Sequence, residues 1–289
     1  MIKIVHGSFY ADGMIIKYSA EGEIEYAESI GSSKFDSINS VAKCSDGGII
    51  VKGYFGSSFV LENGISISDE GQIIIKYSRN MKCEWVKEMG QDISLIVINE
   101  IQSGEYIGFG TFDSGSIEVT NNPSIINKGK RDGIIIKFKN VNLSNSTVIQ
   151  AKGIGGSGWD YINSVAETSD GGIIAGGYFN SSSIDLGNGV SVSNKGDDDG
   201  MIIKYSAERE CEWAKGIGGS SIDRIISVAE TSDGGIVAVG EFRSGSIELG
   251  DGINLSNTGK YAGMIIKYNS NGKCEWAKGI GESNITSVA

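Results

Sequence analysis

The sequence predicts an all-β fold built from one four-stranded unit repeated along the chain, and three observations carry that prediction. The tetrapeptide Ile-Ile-Lys-Tyr, or its Phe variant, recurs five times, with its lysine at Lys17, Lys76, Lys137, Lys204 and Lys267 and spacings of 59, 61, 67 and 63 residues. The chain holds 43 glycines and 1 proline, a composition that suits many tight turns between strands. It also begins with second-strand sequence of the repeat and ends with first-strand sequence. Together these predict a five-bladed β-propeller of four-stranded antiparallel blades, a single domain over residues 1–289, closed by pairing of the N- and C-terminal strands in one shared blade.

Within one repeat the elements follow in order. Ile162–Ala166 reads as the first strand. The Ser-Asp-Gly-Gly that follows is a hairpin turn, because glycine after aspartate tolerates positive φ. Ser-Val-Ala-Glu-Thr-Ser-Asp-Gly-Gly stands whole at Ser164–Gly172 and Ser227–Gly235, with a variant at Ser40–Gly48 and a degenerate form around Val97–Glu105. Ile173–Phe179 is the second strand, Met201–Tyr205 the third and Cys211–Lys215 the fourth. Runs such as Gly-Ile-Ile-Ala-Gly fit sheets covered on both faces, with glycine where backbones approach closely.

Residues 31–90, 91–154, 155–217 and 218–284 then form four blades from continuous sequence. The remaining blade joins residues 285–289, a first strand, to residues 1–30, which open on the second-strand sequence Ile2–Phe9. Pairing the two ends removes exposed sheet edges; an open solenoid would want polar capping repeats, and none is seen.

Charge narrows the partners. The formal net charge is −11 and the pI about 4.7, which disfavours nucleic acid and anionic membranes. No apolar run approaches the ~18 residues of a membrane span, so no membrane insertion is expected. Met1–Tyr10 lacks the pattern of a signal peptide; the expectation is a cytoplasmic protein, or a piece of a longer secreted or cell-surface one. Cys44, Cys83, Cys211 and Cys274 are expected as free, half-buried thiols, since the last three share one repeat position and lie beyond disulfide reach. With no Cys-x-x-Cys pair and one histidine, His6, neither a metal nor another cofactor is expected.

The repeat resembles the bacterial SBBP-type β-propeller repeat family. The residues carrying the resemblance are Asp12-Gly13-Met14-Ile15-Ile16-Lys17-Tyr18, Gly22 and Tyr26, the tryptophans Trp85, Trp213 and Trp276, the Gly-Gly-Ser-x-x-Asp segments Gly155–Asp160 and Gly218–Asp223, and the Ser-Asp-Gly-Gly hairpins. The resemblance implies a propeller scaffold, often on bacterial surface or secreted proteins, usually with seven blades, and no single activity.

Candidate site residues lie in the loops. The connection between second and third strands is long in four blades and reads as an extra hairpin, with turns at Glu62-Asn63-Gly64, Gly187-Asn188-Gly189 and Gly250-Asp251-Gly252. An aligned acid, Asp36, Asp160 or Asp223, precedes the first strand, as either a polar or cation-binding ring at a channel mouth or a loop cap accepting backbone N–H groups. Around it Phe35, Trp159, Tyr161 and Arg224 vary, a mixture of aromatic and polar groups suited to a sugar or a protein. Trp85, Trp213 and Trp276 read as packing residues. Lys195–Gly200 reads as a solvated acidic turn rather than a calcium loop.

The expectation for function is therefore a non-catalytic binding or scaffold module, a monomer presenting loops of one face to a protein or carbohydrate ligand. The alternatives are a carbohydrate-active enzyme using acids at the channel mouth and a structural domain of a larger bacterial surface protein.

Overall fold

The computed structural model describes residues 12–61, 64–90, 92–102, 104–113, 115–119, 122–140, 146–281, 285 and 287–288. Among them there is no helix, and strands come in a repeating order. β1 (Gly13–Tyr18) pairs with β2 (Ile24–Ile30). The next repeat has β3 (Asp36–Lys43), β4 (Ile49–Phe55), β5 (Phe59–Val60), β6 (Ser66–Ile67), β7 (Gly71–Tyr77) and β8 (Cys83–Gly90). The third has β9 (Ile93–Gln102), β10 (Glu105–Phe112), β11 (Ser116–Val119), β12 (Asn122–Ile126), β13 (Asp132–Asn140) and β14 (Ser146–Ile154). The fourth has β15 (Asp160–Glu167), β16 (Ile173–Phe179), β17 (Ser183–Gly187), β18 (Val190–Ser193), β19 (Asp199–Tyr205) and β20 (Cys211–Ile217). The fifth has β21 (Asp223–Glu230), β22 (Ile236–Phe242), β23 (Ser246–Glu248), β24 (Asn254–Ser256), β25 (Ala262–Tyr268) and β26 (Cys274–Gly281).

Each of the last four repeats forms one four-stranded antiparallel sheet and one separate hairpin, with sheet orders β3-β4-β7-β8, β9-β10-β13-β14, β15-β16-β19-β20 and β21-β22-β25-β26. The strands match the expected ones and begin or end up to two residues further out, because Asp160 and Asp199 already sit in the ladder opposite Phe179. The extra hairpins are present in the same four repeats, and positive φ at Asn188 and Asp251 marks two of their turns. This is an all-β, propeller-like arrangement of repeated sheets. Ile2–Phe9, His6, Glu62-Asn63, Asn284, Thr286 and Ala289 lie outside the described residues.

The chain forms two compact units, Met1–Gly108 with Ile117–Ile125 and Ile135–Ala151, and Phe109–Ser116 with Ile126–Ile134 and Lys152–Ala289. In the first, β9 lies against β3, β4 and β7, and Val51, Phe55, Ile73 and Ile75 pack with Ile15 and Ile30. In the second, β21 lies against β15, β16 and β19, and Ile174, Ile202 and Ile217 pack with Ile225, Val228 and Met264. Within each unit neighbouring sheets thus bury each other's faces, which explains the unbroken apolar runs. A bulge between Ile162 and Ser164 frees Asn163, whose Nδ2 donates to Ile225 O at 2.8 Å, while Val228 N donates to Ser164 Oγ at 3.2 Å. One repeat later, Val288 N donates to Ser227 Oγ, also at 3.2 Å.

The lysine that defines the repeat is a clip. Its Nζ is buried and reaches back to the first hairpin turn: Lys76 to Asp46 at 2.7 Å, Lys204 to Asp170 at 2.9 Å and Lys267 to Asp233 at 2.8 Å. The motif therefore needs both halves, Lys on the third strand and Asp-Gly-Gly on the turn, where Gly47, Gly171 and Gly234 adopt positive φ. The drifted third repeat keeps a clip by other means, Lys137 to Glu105. In the first repeat Lys17 pairs with Glu25 instead and its side chain is 48% exposed.

The fourth-strand tryptophans differ from one another. Trp85 is buried edge-on to Tyr106 and Phe138 at 5.3 and 6.3 Å. Trp213 lies 6.1 Å from Tyr268 and donates to Ser270 O, over Gly272, where a Cβ would stand 2.7 Å from the indole. Trp276 is 48% exposed, so the packing role expected of all three holds for two. The four cysteines are free, three buried and Cys83 partly so.

Candidate functional site

Asp36, Asp160 and Asp223 are each 0–1% exposed. Asp160 accepts Gly156 N at 2.8 Å, four residues upstream in its own loop, and Ser181 N and Oγ at 3.2 and 2.6 Å beyond the second strand. Asp223 accepts Gly219 N at 2.9 Å, Arg243 N at 3.0 Å, and Ser244 N and Oγ at 3.1 and 2.6 Å. Asp36 accepts Ser32 Oγ and Gly56 N, both at 2.9 Å. Each carboxylate ties the loop before its strand to the start of the extra hairpin. A charge this buried is tolerated because several N–H and O–H donors surround it. The three therefore act as caps and present no oxygen to a ligand, which corrects their place among the candidate binding residues and in a channel-mouth ring.

A second acid, buried at Asp132 and Asp199 and half-buried at Asp12, stands beside them. Asp12, Asp132 and Asp199, the aspartates that open the third strand, each have one carboxylate oxygen without a hydrogen-bond partner among the described residues. Those side chains fill the space a Cβ would need at Gly31, Gly155 and Gly218, which is why the segment starts with glycine. Burial, together with the nearby Asp223 charge, pushes Asp199 up to about 6 against the pull of Lys195 N–H. Asp132 is raised by burial and by Asp160 in the same way.

The flanking residues behave differently. Trp159, Tyr161, Tyr178, Asn180, Asp198 and Arg224 line an open cleft of about 320 Å³ in the second unit. Tyr161 and Tyr178 face each other across β15 and β16 and stack at 4.6 Å with 17° between their planes. Arg224 covers the Tyr178 ring at 4.4 Å, and Arg131 lies 5.5 Å from the Tyr161 ring and 5.3 Å from that of Trp159, with Lys130 at 5.8 Å. Each guanidinium is anchored by a carboxylate, Arg224 by Asp198 and Arg131 by Asp113, both at 2.5 Å. Hydrogen bonding to Asp113 holds the Arg131 charge above its ordinary range. Asn180 Nδ2 donates to Asp197 O at 2.7 Å and fixes the rim.

The structure thus brings together three of the expected site residues, Trp159, Tyr161 and Arg224. Phe35 lies in the other unit, 56% exposed, and is not part of this cleft. Tyr178, Asn180, Asp198 and Arg131 were not expected. Asp198 stands in the turn read as solvated, and only Arg224 in the next repeat reveals its role. Among the described residues no three His, Cys, Asp or Glu side chains are grouped to hold a metal, and no helix is long and apolar enough to cross a membrane.

No family model matches the chain, and no curated protein matches it. Among solved structures, a protein of unknown function from Bacteroides caccae aligns over 95% of this chain and 96% of its own at 12% identity, with a TM-score of 0.38.

Proposed function

We propose that the chain is a non-catalytic binding module, a closed ring of five SBBP-like four-stranded blades that holds a glycan in the cleft beside Trp159. The cleft carries the reading: it joins an exposed indole, stacked tyrosines and polar groups on rigid strands, the ingredients of a stacking and hydrogen-bonding site. The enzyme alternative loses support from the same loops, because a glycosidase needs carboxylates open to substrate, and Asp36, Asp160 and Asp223 are closed by their own backbone.

Two features support the ring. Val288 is seated on Ser227 as Val228 is on Ser164, so the end of the chain behaves as the first strand of a further repeat. Trp276 and Tyr18, whose counterparts meet at Trp85–Phe138 and Trp213–Tyr268, are 48% and 56% exposed; closure would cover them.

A glycan array probed with the wild-type chain and Trp159→Ala tests the function. Binding by the wild type that the variant loses is the expected result. An empty array with capture of a protein partner would move the reading to a protein ligand; neither would leave a structural domain. Deleting residues 285–289 should lower Tm sharply, since it strips an inner strand and exposes two edges; an unchanged Tm would contradict the ring.

A further inference from the structure

Resting on the glycan reading, we propose that the cleft selects a neutral pyranose with adjacent hydroxyls and discriminates against acidic sugars. Both guanidinium charges on its walls are already matched. Arg224 reaches Asp198 through both Nε and Nη2, and Arg131 holds Asp113 through two bonds. A carboxylate entering the cleft would have to share Arg224 with Asp198 and lie against that neighbouring charge, on a chain whose net charge is −11. A cation would meet the guanidinium.

What the cleft has left over is a mixed set of neutral and compensated groups. Among the described residues Arg224 Nη1, the Tyr178 hydroxyl and Asn180 Oδ1 make no hydrogen bond, and Asp198 Oδ1 has only a long one, 3.4 Å from Asn180 Nδ2. The cleft thus offers both donors and acceptors. Adjacent hydroxyls answer such a wall, since each both donates and accepts, and a group that left these atoms unpaired would lose affinity. Trp159, 40% exposed, offers an apolar surface to the C–H face of the ring. A volume of about 320 Å³ stands at the small end of ligand pockets, roughly 300–1,000 Å³, and suits one ring better than a chain.

Saturation-transfer NMR and calorimetry on the full chain test this, with the methyl glycosides of glucose, galactose and mannose against those of glucuronate and galacturonate as probes. The expected result is saturation of at least one neutral glycoside and about tenfold weaker binding of every uronide. Trp159→Ala should remove the saturation while circular dichroism stays unchanged, and Trp159→Phe should restore part of it. Asp198→Asn, which leaves Arg224 uncompensated, should raise uronide affinity about tenfold. A uronide bound more tightly than any neutral glycoside by the wild type would overturn the selectivity and leave glycan binding standing. Neutral binding indifferent to Trp159→Ala would overturn the site. No saturation by any sugar would overturn both readings.

Discussion

The second and fourth repeats carry the same cap and different company. Asp36 and Asp160 are both buried, both accept a donor from their own loop and another from the start of the extra hairpin. Beside Asp36 stand Phe35, 56% exposed, and Ser37, opposite Tyr54, whose hydroxyl is drawn to Glu70. Beside Asp160 stand Trp159, with two cations over its ring, and Tyr161, stacked on Tyr178. The backbone frame is held constant by the acid, and the residues on either side of it vary. An acid repeated at one position need not be a site; here it is the fixture that allows the neighbouring positions to vary.

The largest effect expected from breaking this comparison is at the frame. Asp160→Ala strands Gly156 N–H, Ser181 N–H and the Ser181 hydroxyl and should cost about 3 kcal/mol or more in urea denaturation. Next is Asp199→Asn. The folded Asp199 value of about 6 lies above its ordinary 3.8, so its proton favours folding below 3.8 and that advantage fades as pH rises to 6. Removing the charge should therefore stabilise the protein at pH 7.5 by on the order of 2–3 kcal/mol relative to pH 3.5; an equal shift at both pH values would contradict the buried charge.

The clip comes third. Hydrogen bonds from Thr168 and then Lys204 hold Asp170 down at about 2. A depressed acid stabilises the fold above 3.8, and the contribution is lost as pH falls toward 2. Lys204→Met should cost about 1 kcal/mol at pH 7, the carboxylate being largely solvated, and should flatten the acid limb of a Tm-against-pH curve. Smallest is Phe35→Ala, expected within about 0.5 kcal/mol of wild type and without effect on sugar binding; a loss of binding there would move the site to the other repeat.

Much of the frame was legible in the chain. The Ile-Ile-Lys-Tyr spacing placed the third strands, and the Ser-Asp-Gly-Gly turns placed the first two, because lysine and turn aspartate are two ends of one clip. The cap, one of two readings open for the repeated acid, is what the burial of Asp36, Asp160 and Asp223 supports. The cleft was only half legible. Trp159 and Tyr161 stood out by breaking the repeat, whereas Arg131 comes from the preceding repeat and Asp198 sits in an acidic run resembling any solvated turn. Their pairing with Trp159 and Arg224 depends on packing between successive sheets, which no local pattern encodes. Trp276 differs from Trp85 in exposure, since burial depends on what the next sheet brings to the indole.

The division between frame and recognition is tested most directly by measuring Tm and methyl-glycoside affinity in parallel for Asp160→Asn and Trp159→Ala. The expected result is a double dissociation: Asp160→Asn lowers Tm by several degrees and still binds sugar below its transition, while Trp159→Ala melts like the wild type and no longer binds. A Trp159→Ala protein that melts early with affinity intact, or an Asp160→Asn protein of wild-type Tm that has lost affinity, would reverse the assignment and make the acid, not the indole, the recognising group.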